Sequence, residues 1–471
     1  MGFYLEKKRL EKTIEVNKLR NIILVELIVK NKKRNECAIN MAIWIKNAVT
    51  LSQKGQFVPT QMILDKGVIQ SIAFGQALFA SEEETSVDTI DAKGALMTPG
   101  LIDVHVHLRE PGYTDKETIK TGTMAAARGG FTTICAMPNV NPEPDTVEKM
   151  KAIQEKIRTD AQINVLQYAP ITTGLKSDDL TDQQSLLDAG AFAFTNDGVG
   201  VQTAGTMYKA MLEAARNKTT IVAHTEDDSL LLGGVMHEGT RNKELGLPGI
   251  LSITEASQIA RDVLISEATG AHYHVCHVST KESVRVIRDA KRAQIKVTAE
   301  VTPHHLLLSE EDIPSDTSIY KMNPPLRSKK DQEALILGLL DGTIDLIATD
   351  HAPHTKEEKK GGMKNSPFGI TGSETAFSLL YTYLVEPGIV TLAQLVDWLT
   401  IKPATVFGLN TGVLEAGYPA DITLFDLKTE NSLLAKDFLS KATNTPFIGW
   451  KVKGTTVMTI VGGKVVYKRE S

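Results

Sequence analysis

The sequence predicts an α/β protein: a (β/α)8, TIM-like barrel with a small β-sandwich domain built from both ends of the chain. Three observations carry that expectation. Through the middle of the chain, eight short apolar runs alternate with helical stretches, the pattern of repeated βα units. Histidine, aspartate and asparagine stand where those runs end, and the C-terminal ends of the strands are where such barrels place their chemistry. Both termini of this middle share a β-like texture of short runs and polar breaks. With 471 residues and 42% hydrophobic content, the chain can bury a barrel core and an accessory domain.

The first forty residues stand apart. They hold ten Lys and Arg against five Glu, and their apolar run Ile22 to Val29, broken by Glu26, is too short to span a bilayer. They lack a signal-peptide cleavage site, and the acidic residues argue against a transit peptide. A clean strand pattern starts directly after Met41, so Met41 is read as the working start and 1–40 as a dispensable extension. Strand-like runs then cover Ala42–Val49, Gln61–Ile63 and Val68–Phe74. They return at Ala420–Asp426, Val457–Val461 and Lys464–Tyr467. The expected division is an extension over 1–40, the N-terminal half of the sandwich over 41–96, the barrel over 97–409, and the C-terminal half of the sandwich over 410–471.

The barrel can be followed strand by strand. Leu101–Val106 is the first strand; a helix over about Lys116–Arg128 follows, stopped by Gly129-Gly130. Phe131–Ala136 is the second, ending in Met137-Pro-Asn139, and the spacing Asp145 to Glu148 reads as a capping box opening the next helix. Ile163–Tyr168 and Ala191–Thr195 are the third and fourth, the latter running into Asn196-Asp197-Gly-Val-Gly. A helix over Thr203–Arg216 leads to Thr220–His224, and one over Glu255–Ala268 to Ala271–His277. Ile295–Val301 and Ile344–Thr349 complete the eight, the last ending in Asp350-His-Ala-Pro-His354.

His105 and His107 close the first strand. Residues two apart on a strand share a face, so both imidazoles can reach one metal ion, and Arg109 continues the same parity with a planar cationic fork. A lone His-X-His is usually a pair of surface histidines. Here Asn139, Asp197, His224, His277 and Asp350 stand at further strand ends, which a random scatter would not favour. Of the other histidines among the eleven, His272 and His274 lie inside strand six, His304 and His305 end strand seven, and His237 lies in a loop. All five are read as core or loop histidines, although spacing alone does not separate His274 from His277.

With these residues in place, the chain resembles the metal-dependent amidohydrolase superfamily. Within it, Thr98-Pro-Gly-Leu-Ile-Asp-Val-His-Val-His-Leu-Arg-Glu-Pro-Gly112, Met137-Pro-Asn139 and Ala348-Thr-Asp-His-Ala-Pro-His354 closely resemble the long monofunctional type of bacterial dihydroorotase, from Met41 to the C-terminus. The resemblance implies two Zn2+ per subunit: His105, His107 and Asp350 on one, His224 and His277 on the other. Where many relatives bridge the ions with a carboxylated lysine, strand four has none, and Asp197 is the bridging candidate. It implies Asp350 as the catalytic proton shuttle, and His107, Arg109, Asn139, Asn323, His354, Phe368 and Gly369 as substrate contacts. Gly361, Gly362 and Gly369 would let the loop after strand eight close over ligand. The implied substrate pair is N-carbamoyl-L-aspartate and dihydroorotate, in pyrimidine biosynthesis.

The mixed charge, net −5, gives no reason to expect nucleic acid or a membrane surface. Cys37, Cys135 and Cys276, far apart and without metal-finger spacing, suit a reducing cytoplasm. A homodimer is expected, with association with aspartate transcarbamoylase a further expectation. Two rivals remain: a sister cyclic amidohydrolase (hydantoinase, dihydropyrimidinase or allantoinase), and a catalytically inactive subunit that scaffolds a partner. Arg109 with Asn139, and the absent lysine, weigh against the first. The full ligand set weighs against the second.

Overall fold

The computed structural model describes residues 42–52, 54–75 and 87–470. The extension 1–40, Met41 and Cys37 lie outside them. Both ends of the chain meet in one eight-stranded sheet. The N-terminal region supplies Ile43–Leu51, Phe57–Asp65, Val68–Phe74, Asp88–Asp91 and Leu96–Pro99, and the C-terminal region Ile422–Asp426, Thr455–Val461 and Lys464–Lys468. The seam is Leu96–Pro99, whose Met97 pairs antiparallel with Leu424 while Leu96 pairs parallel with Val49. Alternating residues from both ends, among them Ile45, Met62, Ile69, Ile422, Leu424 and Ile460, form a separate apolar core, as period-two strands with one buried face should. The strands expected to make a sandwich are thus hydrogen-bonded as one continuous sheet.

Only Gly100 separates that sheet from the first barrel strand, and a Cβ there would stand 2.0 Å from the Thr132 hydroxyl. The barrel strands, all parallel and in sequence order, are Leu101–Val106, Phe131–Ala136, Asn164–Ala169, Ala191–Phe194, Thr220–Ala223, His272–Val275, Val297–Val301 and Leu346–Ile347. The eighth is shorter than its apolar run predicts. Closure occurs just beyond it, where Val106 bridges His351 and the His107 N–H donates to the His351 carbonyl at 2.9 Å. The ring is therefore sealed at the level of His105, His107 and Asp350. Ile102, Val104, Cys135, Tyr168, Val222 and Cys276 fill the interior with Ala404 of the helix Ile401–Phe407, so the barrel is a packed core with a cavity at its C-terminal mouth.

Helix boundaries follow cap chemistry. The first barrel helix is Ile119–Gly129, capped by Thr118, and Gly130 ends it in the left-handed region at φ 94°. The next, Val147–Asp160, is capped by Thr146 and not by Asp145. The Asp145 carboxylate is already engaged by Lys149 Nζ at 2.6 Å and the Gly174 N–H at 3.0 Å, which leaves the Thr146 hydroxyl to accept from the Lys149 N–H. His237 lies in a two-residue strand paired with Gly249–Ile250, not in a loop. His304 and His305 belong to a short helix, Pro303–Leu307. Cys135 and Cys276 are free and buried. Among the described residues, no helix is long and apolar enough to cross a membrane.

Candidate active site

The mouth of the barrel holds a cavity of about 300 Å³ lined by His107, Arg109, Asn139, Asp197, His224, His277, Asn323, Asp350, His354, Phe368 and Gly369, with Gly198, Met322, Ala352 and Pro367 between them. His105 lies beneath it, fully buried. Every site residue singled out in the sequence thus stands at this one place. Arg109, His277 and Asp350 have positive φ of 60°, 30° and 46°. Non-glycine residues persist there only when their surroundings hold them, as at functional sites.

The protonation pattern follows from which partners can only accept. His105 Nδ1 lies 2.7 Å from Glu300 Oε1; an ionised carboxylate offers no proton, so Nδ1–H donates and Nε2 is the nitrogen turned to the acidic cluster. Burial would lower this imidazole, but the charges of Asp350 and Asp197 raise it well above its ordinary value, so Nε2 carries a proton that a bound cation would replace. Burial would raise Glu300, but the charge and hydrogen bonds of His105 and His274 outweigh it and push the carboxyl down to about 2. His105 Nε2 faces Asp197 Oδ1 at 3.2 Å and Asp350 Oδ1 at 3.3 Å. His107 repeats the arrangement: Nδ1–H donates to Asn139 Oδ1 at 2.9 Å, and Nε2 stands 2.9 Å from Asp350 Oδ1 and 3.4 Å from Asp197 Oδ2. Burial acts to raise Asp350, yet the charges of His105 and His107 and the bond to His107 hold it well below the usual carboxylate range. Its side chain is an acceptor in every direction.

On the far side, His224 Nδ1 and His277 Nε2 are 2.9 Å apart, and each is 3.8 Å from Asp197 Oδ1. His105 Nε2 and Asp197 Oδ1, both buried, have no hydrogen-bond partner. Carboxylates and imidazoles converging in a buried space need a positive charge among them, whether protons on the imidazoles or a metal ion in their place. Two overlapping groups fit that demand: His105, His107 and Asp197, and Asp197, His224 and His277; a third set, His105, His277 and Asp350, lies across them. The donor set is imidazole and carboxylate, which suits a borderline divalent cation such as zinc. Asp197 belongs to both first-named groups, the position of a bridge.

The opposite wall is cationic and amide-rich. Arg109 Nε donates to the Pro353 carbonyl at 3.3 Å, and its Nη2 lies 3.4 Å from His354 Nε2. His354 Nδ1 in turn faces Glu358 Oε2 at 3.2 Å; burial and the neighbouring Arg109 push its imidazole down to about 3, so it is neutral near pH 7. Asn139, with Oδ1 engaged by His107, has its Nδ2 to offer a ligand. Asn323 Nδ2 donates to Glu226 Oε1 at 2.8 Å, which leaves its Oδ1 as an acceptor. The loop carrying Phe368 and Gly369 is anchored from beneath: Lys321 Nζ donates to the Ser366 carbonyl at 2.6 Å and sits 4.3 Å from the Phe368 ring centre, and Lys359 Nζ donates to the Pro367 carbonyl at 2.9 Å.

Three side chains not singled out in the sequence shape this site. Glu300, in strand seven, holds His105 and accepts from His274 Nε2 at 3.1 Å, so His274 is a core histidine with a defined partner. Glu226 stands 3.8 Å from His224 Nε2 and holds Asn323. Asn444, from the returning C-terminal segment, bonds the loops under His354 and Gly369. A carboxylate on the outer nitrogen of a metal-binding histidine fixes its tautomer. Glu300 could have been suspected from parity, since it alternates with apolar residues in a strand; Glu226 and Asn444 carry no comparable signal.

In its fold, the chain is similar to the L-hydantoinase (dihydropyrimidinase) of Arthrobacter aurescens, with a TM-score of 0.80 at 25% identity over 92% of this chain and 97% of that one. A D-hydantoinase from a Thermus species gives 0.77 at 27% identity, over 90% of this chain and 95% of that one. Fold and donor set define a cyclic amidohydrolase whose buried histidine and aspartate clusters can hold metal. A family model described as dihydro-orotase-like matches residues 94–283. A dihydroorotase of Enterococcus faecalis is 61% identical over 431 residues, 92% of this chain and 100% of that protein, and one of Geobacillus kaustophilus is 58% identical over 429, 91% and 99% respectively. The chain belongs to the dihydroorotase family.

Proposed function

We propose that this enzyme is a dihydroorotase that catalyses the reversible cyclisation of N-carbamoyl-L-aspartate to (S)-dihydroorotate and water, the third step of de novo pyrimidine synthesis. One observation carries the reading beyond the family: the cavity is two-sided. Imidazoles and carboxylates fitted to cations form one wall, and Arg109, His354 and the Asn139 amide form the other. A small ring bearing an amide and a carboxylate needs both. Two Zn2+, when bound, would polarise the scissile carbonyl and acidify the attacking water.

The chain's own residues do the rest. Arg109 presents its fork to the substrate carboxylate, helped by Asn139 Nδ2. Asn323, its amide turned by Glu226, offers Oδ1 to a ring N–H. Asp350, kept ionised, takes the proton of the attacking water and returns it to the departing ring nitrogen; in the biosynthetic direction it takes the ureido proton as the C–N bond forms and passes it to the departing carboxyl oxygen, which leaves as water. His107 has both nitrogens committed, one to Asn139 and one toward the acidic cluster, so its role toward substrate is to hold Asn139 in place.

The same reading includes His105, His107 and Asp350 on one ion, His224 and His277 on the other, and Asp197 between them. It includes a barrel over 97–409 between sheet regions at 41–96 and 410–471, a homodimer in the cytoplasm, and a capacity to associate with aspartate transcarbamoylase. Metal analysis, light scattering and co-purification test these separately. The decisive experiment offers the zinc-loaded protein dihydroorotate, hydantoin, dihydrouracil and allantoin and follows ring opening. Preference for dihydroorotate is expected; faster opening of an uncharged ring would place the enzyme with its hydantoinase-like structural neighbours.

A further inference from the structure

The anion-binding wall is not held by the barrel alone. After the strand Ile422–Asp426, the C-terminal segment returns across the mouth of the barrel, where buried carboxylates pin it. Glu374 accepts from the Leu439 and Ser440 N–H groups at 3.0–3.1 Å, and Glu117 accepts from the Ser440 hydroxyl. Asn444 follows, 4% exposed, and its amide is fully used. Oδ1 accepts from the His354 N–H at 3.0 Å, and Nδ2 donates to the Ala352 and Gly369 carbonyls, each at 3.0 Å. Its backbone carbonyl accepts from the Thr371 N–H at 3.0 Å.

These are the backbone points on which the wall depends. Arg109 rests on the Pro353 carbonyl, between the two residues that Asn444 grips on that loop. Gly369, at φ 150°, lies so close that a Cβ would stand 2.6 Å from the Ala352 oxygen and 2.7 Å from the His354 ring. The spacing between the 352–354 and 366–371 segments therefore sets where His354, Gly369 and the Arg109 fork stand; a direct backbone bond, from the Ala352 N–H to the Ile370 carbonyl at 3.0 Å, joins them at one point, and the Asn444 amide is the side chain that bridges them beside it. No other side chain of this length supplies one acceptor and two donors in a plane. Asp would turn a lone pair toward two carbonyls; Ser could satisfy only some of the set.

We propose that Asn444 is a positioning residue for substrate-carboxylate binding, clamping the loop of His354 to the loop of Gly369 beyond their single backbone bridge without touching substrate. The inference rests on the dihydroorotase reading, in which that wall holds the carboxylate. The metal ligands lie on the barrel strands and on the first turn beyond them, so the change should appear in substrate binding and not in metal content.

The test compares Asn444→Asp and Asn444→Ser with the unaltered enzyme in kcat, KM, metal content and melting temperature. Leaving buried donors or acceptors unpaired costs enough to predict a rise in KM for dihydroorotate of about 10- to 100-fold in the Asp variant, with a smaller rise in the Ser variant. Metal content should be unchanged and kcat within about threefold, as loss of binding alone requires. Should the Asp variant not fold, the Ser variant decides on the same readouts. A KM within about twofold of the unaltered enzyme in a folded variant overturns the proposal; so does a fall in metal content that tracks the loss of activity. Failure of the dihydroorotase reading would show differently, as an unaltered enzyme that does not open dihydroorotate.

Discussion

Asp350→Asn asks one carboxylate to separate two roles. Its Oδ1 lies 2.9 Å from His107 Nε2 and 3.3 Å from His105 Nε2, and in the proposed mechanism the side chain both shares a cation site and is the ionised group that collects a proton. Asparagine matches its size and tolerates its backbone, which is left-handed at φ 46°. The amide keeps one oxygen for the cation but loses the basic lone pair. Loss of a general base costs about 10²- to 10⁴-fold in rate, or about 3–5 kcal/mol of barrier at roughly 1.4 kcal/mol per decade. Asp197→Asn is the control. Asp197 faces His105, His107, His224 and His277 at 3.2–3.8 Å, so removing its charge should empty at least one metal site. The assay sets metal content against ring-opening rate: Asp350→Asn should retain substantial metal and lose nearly all rate, and Asp197→Asn should lose metal. A rate above about a tenth of the unaltered enzyme with metal in place would be too high for a lost general base; His354, neutral near pH 7, would then be the next group to test.

Arg109→Lys keeps the charge but not the bidentate fork; it should cripple turnover of dihydroorotate with metal content unchanged, and metal falling in step with activity would show that Arg109 supports the ligands instead. Glu300→Gln removes the charge that holds His105 Nδ1 at 2.7 Å; loss of such an outer partner should weaken metal affinity by about 10- to 100-fold, read by chelator competition, and unaltered affinity would contradict the role given to Glu300. Protein beginning at Met41 should keep full activity and melting temperature, because the strand Ile43–Leu51 starts two residues later; loss of folding would show that residues 1–40 take part in the core. The last concerns pH. Burial pushes the Asp262 carboxyl up to about 6, against its bonds from Arg261 and Tyr273. A raised folded value favours the folded state below pH 3.8 and loses that contribution as pH rises through about 6. Asp262→Asn has no such loss, so its stability relative to the unaltered protein should improve between pH 4 and pH 7 by on the order of 3 kcal/mol; a difference flat across that range would refute the assignment.

The eight strands and the cluster of histidines and aspartates at the barrel mouth were legible because each rests on a local rule: an apolar run of strand length, then a polar residue at its end. Where a side chain's role depends on a partner distant in sequence, the rule fails. Alternation puts His272 and His274 on one face, yet His274 turns inward to Glu300 while His277 reaches His224. What separates them is that His277 lies past the strand with φ at 30°, and a left-handed residue breaks the parity on which the sequence argument relies. Arg109 shows the converse. Parity from His105 puts it on the correct side, but the strand ends at Val106, and Arg109 arrives there through its own left-handed turn and the Pro353 carbonyl.

Glu226 and Asn444 were beyond reach, and Glu300 was legible only as a polar break in its strand, for a different reason. Each is a common residue type whose meaning is created by what it faces. Glu300 joins the histidine cluster because strand seven abuts strand six in register, His274 beside Thr298, so that two residues further on its carboxylate lies under His105. Glu226 matters because Asn323 comes to it from a loop 97 residues away, and Asn444 because the chain crosses the barrel mouth on its way back to the terminal sheet. The architecture is specified by repeated local patterns that tolerate many sequences. The orientation of its histidines and the width of the wall formed by Arg109, His354 and Gly369 are specified by a few long-range contacts, and substitutions there should alter affinity and selectivity while leaving the barrel intact.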